Sequence, residues 1–180
     1  MKKKNIKINE KAKLSPSSKY GVTKKKAESE ILKLKRYNIE FCIGRIFSFT
    51  DHDQKIPYVI PSIIKQIKFS KKKEIKLKNL NHFRDFISTS QIIKIIEKLY
   101  KTKSTGIYNI GSGQAINLKN IAKLFGKKYK KKIKFEDNKE ITYLISNNSK
   151  IKKKGIKLKK FYNNLNFFYK WYDRYCNSNI

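Results

Sequence analysis

The chain reads as an α/β protein, and three observations carry that reading. Segments with apolar residues at helical spacing alternate along the sequence with short runs suited to strands. The stretch "NIEFCIGRIFSF", residues 38–49, is largely apolar and rich in β-branched and aromatic residues, as in a parallel strand buried on both faces. The 180 residues are 39% hydrophobic and 13% aromatic, enough to bury a core and too apolar for a chain disordered throughout.

Residues 1–14 are polar, lysine-rich and without periodicity, which predicts a flexible basic N-terminus. A helix is expected over 16–36, capped by Ser17 or Ser18, with Ala27, Ile31 and Leu34 along one face. The apolar strand follows at 39–47. "PYVIPSIIKQIKF" reads as a short helix entered at Pro57 and bent or restarted at Pro61. "EIKLKN" alternates like a half-buried strand. "HFRDFIS" reads as another strand, leading into a helix over "SQIIKIIEKLY". "TGIYNIGSG" is a strand ending in a glycine turn, and "NLKNIAKLFGKKY" a helix capped by Asn117. "KIKFED" is a strand, and "NFFYKWYDRY" an aromatic helix near the C-terminus. A strand as apolar as 39–47 needs neighbours on both sides and cover on both faces, and few other strands supply them.

The net charge of +32 invites a polyanionic partner. Its make-up argues otherwise. Only Arg36, Arg45, Arg84 and Arg174 of the 45 basic residues are arginine, the residue that forks onto phosphates and guanine edges. The lysines are scattered from Lys2 to Lys170 among Ile and Asn, as a compositional bias would scatter them. A basic nucleic-acid-binding module is therefore the rival reading, not the leading one. Cys42, inside the apolar run, is expected to pack as a small core residue, and Cys176 to be a free thiol. Neither these nor His52 and His82 have metal-ligand neighbours at usable spacing, so no metal site is expected. With no signal-like or membrane-length apolar run, a cytoplasmic chain is expected.

Tyr20 and Lys24 carry the chemistry. Four residues apart on a helix, they share a face. Ala27, Ile31 and Leu34 continue that face, so it is expected to point inward. A phenol is a poor base at neutral pH, and an adjacent ammonium favours the phenolate. Such a pair can pass a proton to or from a hydroxyl or carbonyl. In a chain so rich in lysine, the spacing alone also arises by chance.

The surroundings are more specific. "SPSSKYGVTKKKAESE", residues 15–30, resembles the active-site helix of the extended short-chain dehydrogenase/reductases, in particular the NAD-dependent nucleotide-sugar epimerases and dehydratases. Pro16, Ser18, Tyr20, Gly21, Thr23, Lys24, Ala27 and Glu28 all fit. In order downstream, "GRIFSF" is similar to that family's Arg-x-Phe-Asn strand end and "IPYVIPSIIKQI" to its next helix. "FRDFIST", "YNIGSGQAINLKNIAKL" and "SKIKKKGIKLK" are similar to its later segments. The resemblance implies an incomplete Rossmann-like parallel sheet plus a smaller α/β substrate-binding subdomain. It places a remnant of the dinucleotide-binding domain at 15–55 and the substrate-binding region at 56–180, with 107–116 returning to the sheet. Tyr20 would be the acid/base and Lys24 its activator, both also touching NAD or NADP. Arg84 would meet the nucleotide phosphates. Ser48 and Asn109 would contact the nucleotide sugar. Tyr20, Arg84 and Asn109 are expected to share one cleft. For Arg84 an ion pair with Asp85 is the plainer alternative, and for Asn109 the holding of its own turn.

The same resemblance implies a gap. The family opens with a Gly-rich strand–turn–helix that cradles the cofactor pyrophosphate. Here the seven glycines are scattered, and Gly111-Ser112-Gly113 falls late. The chain alone is thus expected to bind NAD(P) poorly. It would work with a separate cofactor-binding chain, or be a non-catalytic remnant; a homodimer is the other partnership the family suggests. Three departures from the pattern stand out: Ser48 where the family has Asn, Gln91 where it has an acid, and Asn147 or Asn148 where it has Asp.

Overall fold

The computed structural model describes residues 7–51, 54–138 and 140–158. The aromatic segment "NFFYKWYDRY", Cys176 and His52 lie outside the described residues. Helix α1 (Lys19–Lys33) runs on into a 3₁₀ turn at Leu34–Tyr37 and is followed by strand β1 (Cys42–Ile46) and the short β2 (Ser48–Phe49). Next come α2 (Val59–Lys68), β3 (Glu74–Lys78), β4 (Phe83–Arg84), β5 (Phe86–Ile87) and α3 (Thr89–Lys101). The chain continues through β6 (Gly106–Ile110), β7 (Ile116–Asn117), α4 (Leu118–Lys128), β8 (Lys132–Glu136), β9 (Tyr143–Leu144) and α5 (Ser149–Lys152).

Local chemistry sets the helix starts. Ser18 accepts the Gly21 N–H, Ser88 that of Gln91 and Asn117 that of Lys119, so three helices begin where a side-chain oxygen meets an orphan donor. Helix α1 begins at Lys19 rather than at 16 because Ser18 is the cap. Pro61 neither bends nor restarts α2. It lies in the first turn, where no intrahelical N–H bond is required. "HFRDFIS" forms two short strands broken at Asp85 instead of one.

The strands pair in small sheets. The expected parallel pairing is present: β1 runs beside β6, with Cys42 opposite Gly106, Arg45 opposite Asn109 and Ile46 opposite Ile110. Strand β2 continues parallel to β5, and β3 parallel to β8. Strand β4 lies between β7, antiparallel, and β9, parallel. Two apolar clusters hold these pieces. One packs Ile64 and Ile67 of α2 and Ile121 and Phe125 of α4 against β3. The other packs Ile95 and Leu99 of α3 against Tyr108, Ile110 and Ile151. Each fully buried side chain of this size contributes about 1.5–3 kcal/mol of transfer free energy.

Two expectations fail here. Segment 7–14 is docked, not flexible: the Ile8 N–H donates to Ile145 O at 2.8 Å, and Ile8 O accepts from Asn147 N at 2.8 Å. The segment has no periodicity because it forms only a single parallel bridge, to Ser146. Nor is Cys42 a core residue. Alternation along β1 puts Cys42, Gly44 and Ile46 on an open face, and Cys42 is exposed. That face, with Ile96, Leu99 and Tyr100 of α3, lines an apolar groove of about 530 Å³. Among the described residues the far edge of β1 carries no strand.

Candidate active site

Tyr20 and Lys24 sit in the first turns of α1. Close approach fixes the backbone entry: a Cβ on Gly21 would come within 2.9 Å of Pro16 Cβ, so glycine is required after Tyr20. The Lys24 ammonium lies 5.4 Å from the centre of the Tyr20 ring. The pair is therefore formed. Its face does not point inward, however. Tyr20 is 73% exposed, and no residue of α1 is buried. Ala27 and Ile31 are exposed as well, because no described element packs on that side of the helix.

One polar clamp holds α1 to the sheet. Arg45 of β1 grips Glu28 with both arms, Nε to Oε2 at 2.9 Å and an amino group to Oε1 at 2.5 Å. Its remaining amino group donates to Glu10 O at 2.8 Å. The Glu28 hydrogen bond raises the Arg45 pKa, against the lowering by burial. Glu10 in turn accepts the Asn109 N–H at 3.0 Å, and the Asn109 side-chain amide donates to Ile8 O at 2.9 Å. The network joins four distant segments: 7–10, α1, β1 and β6. Asn109 is 1% exposed and its amide is committed to Ile8. Its side chain therefore holds the N-terminal segment rather than its own turn.

Arg84 lies elsewhere, at the end of β4. Asp85 does not pair with it. The Asp85 carboxylate is fully buried and turned the other way. Oδ1 accepts from Ser112 N at 2.7 Å and Ser112 Oγ at 2.5 Å. Oδ2 accepts from Gly113 N at 2.9 Å, Ser146 N at 3.0 Å and Ser146 Oγ at 2.5 Å. Asp85 thus pins the Gly-Ser-Gly turn and β9's exit to the break between β4 and β5. Gly111 completes the packing, since a Cβ there would lie 2.6 Å from Asp85 Oδ2. Arg84 is half-buried and, among the described residues, pairs with no acid. Burial lowers its pKa. Ser48 is half-buried opposite Phe86. No hydrogen bond or ion pair among the described residues joins Tyr20 or Lys24 to Ser48, Arg84 or Asn109.

The Arg45–Glu28 clamp and the Asp85 hub carry no sign of partnership in the sequence, although Glu28 and Arg45 both fall within the quoted motifs. Among the described residues, no group of three His, Cys, Asp or Glu side chains could hold a metal ion, and no helix is long and apolar enough to cross a membrane.

An α/β framework with parallel strand pairs, together with a family model that matches most of the chain, defines the class: a Rossmann-type chain of the epimerase/dehydratase kind. The chain belongs to the GDP-mannose 4,6 dehydratase family, whose model matches residues 2–164. Its fold is similar to that of a dTDP-glucose 4,6-dehydratase from Bacillus anthracis in complex with NAD, at 21% identity and TM-score 0.80, covering 96% of this chain and 57% of that one. It is also similar to a dTDP-glucose 4,6-dehydratase from Streptomyces venezuelae with NAD bound, at 17% identity and TM-score 0.80, covering 95% and 56%. A third is a UDP-N-acetylglucosamine 4-epimerase from Methanobrevibacter ruminantium, at 19% identity and TM-score 0.72, covering 87% and 53%. The chain thus spans little more than half the length of these structures. No curated protein matches it.

Proposed function

We propose that the chain is the substrate-binding and proton-transfer part of an NAD(P)-dependent nucleotide-sugar epimerase, dehydratase or reductase. The observation that carries this is the Tyr20–Lys24 pair on a helix clamped to β1 by Glu28 and Arg45, in a chain of this family. In this reading the Tyr20 oxygen takes the proton of a sugar hydroxyl as that carbon is oxidised, and returns it on reduction. The Lys24 ammonium, 5.4 Å from the centre of the Tyr20 ring, reaches the ribose of the nicotinamide. NAD(P), when bound, supplies the hydride acceptor and donor. Arg84 takes the diphosphate of the nucleotide sugar, and Ser48 lines the same substrate.

The described residues fit one end of that cofactor. Tyr20 and Lys24 are exposed and adjacent, as a ribose contact requires. The other end finds no cradle among the described residues: each described helix of eight residues or more is entered from Ser, Tyr or Asn, with no glycine-rich turn directly before it. We therefore assign the pyrophosphate to a cofactor-binding half outside the described residues. The open edge of β1 and the apolar groove beside α3 are the surfaces it would cover.

Calorimetry and turnover assays on the chain alone, then with such a half added, test the proposal. The expected result is no saturable NAD(P) binding alone and activity on mixing, abolished by Tyr20→Phe. Tight NAD(P) binding by the chain alone overturns the split assignment. Complemented activity that survives Tyr20→Phe overturns the role of Tyr20.

A further inference from the structure

We propose that His82 and Thr142 form a directional relay that positions Arg84, holding its guanidinium by one amino group and leaving its other edge free for a pair of anionic oxygens. The ligand class rests on the reading above; the relay rests on geometry alone.

The juxtaposition follows from strand periodicity. Strands β4 and β9 run parallel with Phe83 opposite Tyr143, and those two rings stack at 4.6 Å on one face. Residues one step away point to the other face. That brings His82, Arg84 and Thr142 together.

The hydrogen-bond directions are determined. The Thr142 backbone N–H donates to His82 Nδ1 at 3.2 Å. A backbone N–H can only donate, so Nδ1 is the lone-pair nitrogen, and the proton of the neutral ring is on Nε2. Thr142 Oγ1 lies 3.0 Å from the same Nδ1. With no proton on Nδ1, the hydroxyl must be the donor there. Its single hydrogen is thereby fixed, and its lone pairs face the other way. Arg84 donates to that oxygen from one amino group at 2.8 Å. The same amino group reaches Phe83 O at 2.9 Å and, more weakly, Thr142 O at 3.4 Å.

Three acceptors therefore gather on one nitrogen of a group with five N–H bonds. Nε and the second amino group carry no hydrogen bond among the described residues. This is the edge that takes two oxygens in parallel. A half-buried guanidinium bonded only to neutral oxygens through one nitrogen, with no acidic partner among the described residues, keeps a charge that an incoming anion offsets. Without His82 as acceptor, the Thr142 hydroxyl could turn its hydrogen toward Arg84 and lose the hold. Thr142 is thus a positioning residue and His82 its lock.

The test uses the full chain, ¹⁵N-labelled, with uridine diphosphate as the probe. On the unmodified protein, ring ¹⁵N shifts should show His82 protonated at Nε2 and bare at Nδ1. Thr142→Val and His82→Phe should each shift the Arg84 guanidinium resonances. Each should also weaken uridine diphosphate binding by about tenfold, the loss of one hydrogen bond to a charged group. Thr142→Ser should restore both readouts. A proton on Nδ1, or Arg84 resonances unmoved in Thr142→Val, overturns the relay. If the unmodified chain shows the expected tautomer and coupling but does not bind uridine diphosphate, the relay stands and the nucleotide assignment of Arg84 falls.

Discussion

Asp85→Asn is the sharpest test of how this fold is held. The change keeps shape and volume but replaces one acceptor oxygen with an NH2 group. Two placements are possible. If the new amide oxygen takes the Oδ2 place, the buried Ser112 N–H at 2.7 Å faces a donor. If it takes the Oδ1 place, the Gly113 and Ser146 N–H groups at 2.9 and 3.0 Å do. The two serine hydroxyls can rotate to accept, but a backbone N–H cannot. At least one buried N–H is orphaned, at about 1–3 kcal/mol. The remaining bonds to a neutral oxygen are about half as strong as those to a carboxylate, while the amide is easier to bury. The net expectation is a loss of about 2–3 kcal/mol. For a chain of this length that lowers the thermal midpoint by about 4–12 °C. Urea unfolding followed by circular dichroism, together with calorimetry, reads it directly. Ser146→Ala, which removes one donor from the same oxygen, should cost about 1 kcal/mol. Its effect should shrink in the Asp85→Asn background, because the two residues share a bond. Stability within about 0.5 kcal/mol of the parent for Asp85→Asn would refute the hub.

Two further outcomes follow from the clamp and from the loop after β8. Arg45→Met leaves Glu28 without its partner at a mostly buried site, so a loss of about 2–4 kcal/mol is expected. Amide exchange should rise first in α1 and in 7–10, and unchanged protection of α1 would count against the clamp. Asp137 pairs with Lys119 and accepts the Leu80 and Asn81 N–H groups, and the Lys119 hydrogen bond foremost holds its carboxyl below the usual range. A carboxyl depressed on folding stabilises above its unfolded value, and that contribution fades as pH falls through the folded one. Stability measured across the acidic range should fall less steeply in Asp137→Asn, and identical pH profiles would contradict the assignment.

Short-range chemistry was legible without coordinates. Ser18, one of two candidate caps, and Asn117 cap their helices because a side-chain oxygen needs only the next two or three residues. The apolar run around Ile43 and the Ile107–Ile110 segment are strands that pair in parallel, since both read as buried β-formers before a crossover through α3. Tyr20 and Lys24 came from spacing and motif, and one helical turn is enough to bring them together. The long-range partnerships were decided only in three dimensions. Asp85 meets Ser112 and Ser146 across 27 and 61 residues, and Glu10 meets Asn109 across 99. Nothing local marks such pairs, because a carboxylate has the same identity whether it faces water or five donors. Exposure was hidden for the same reason. The spacing of Ala27, Ile31 and Leu34 says which residues share a face of α1, while only the placement of other elements says whether that face is covered.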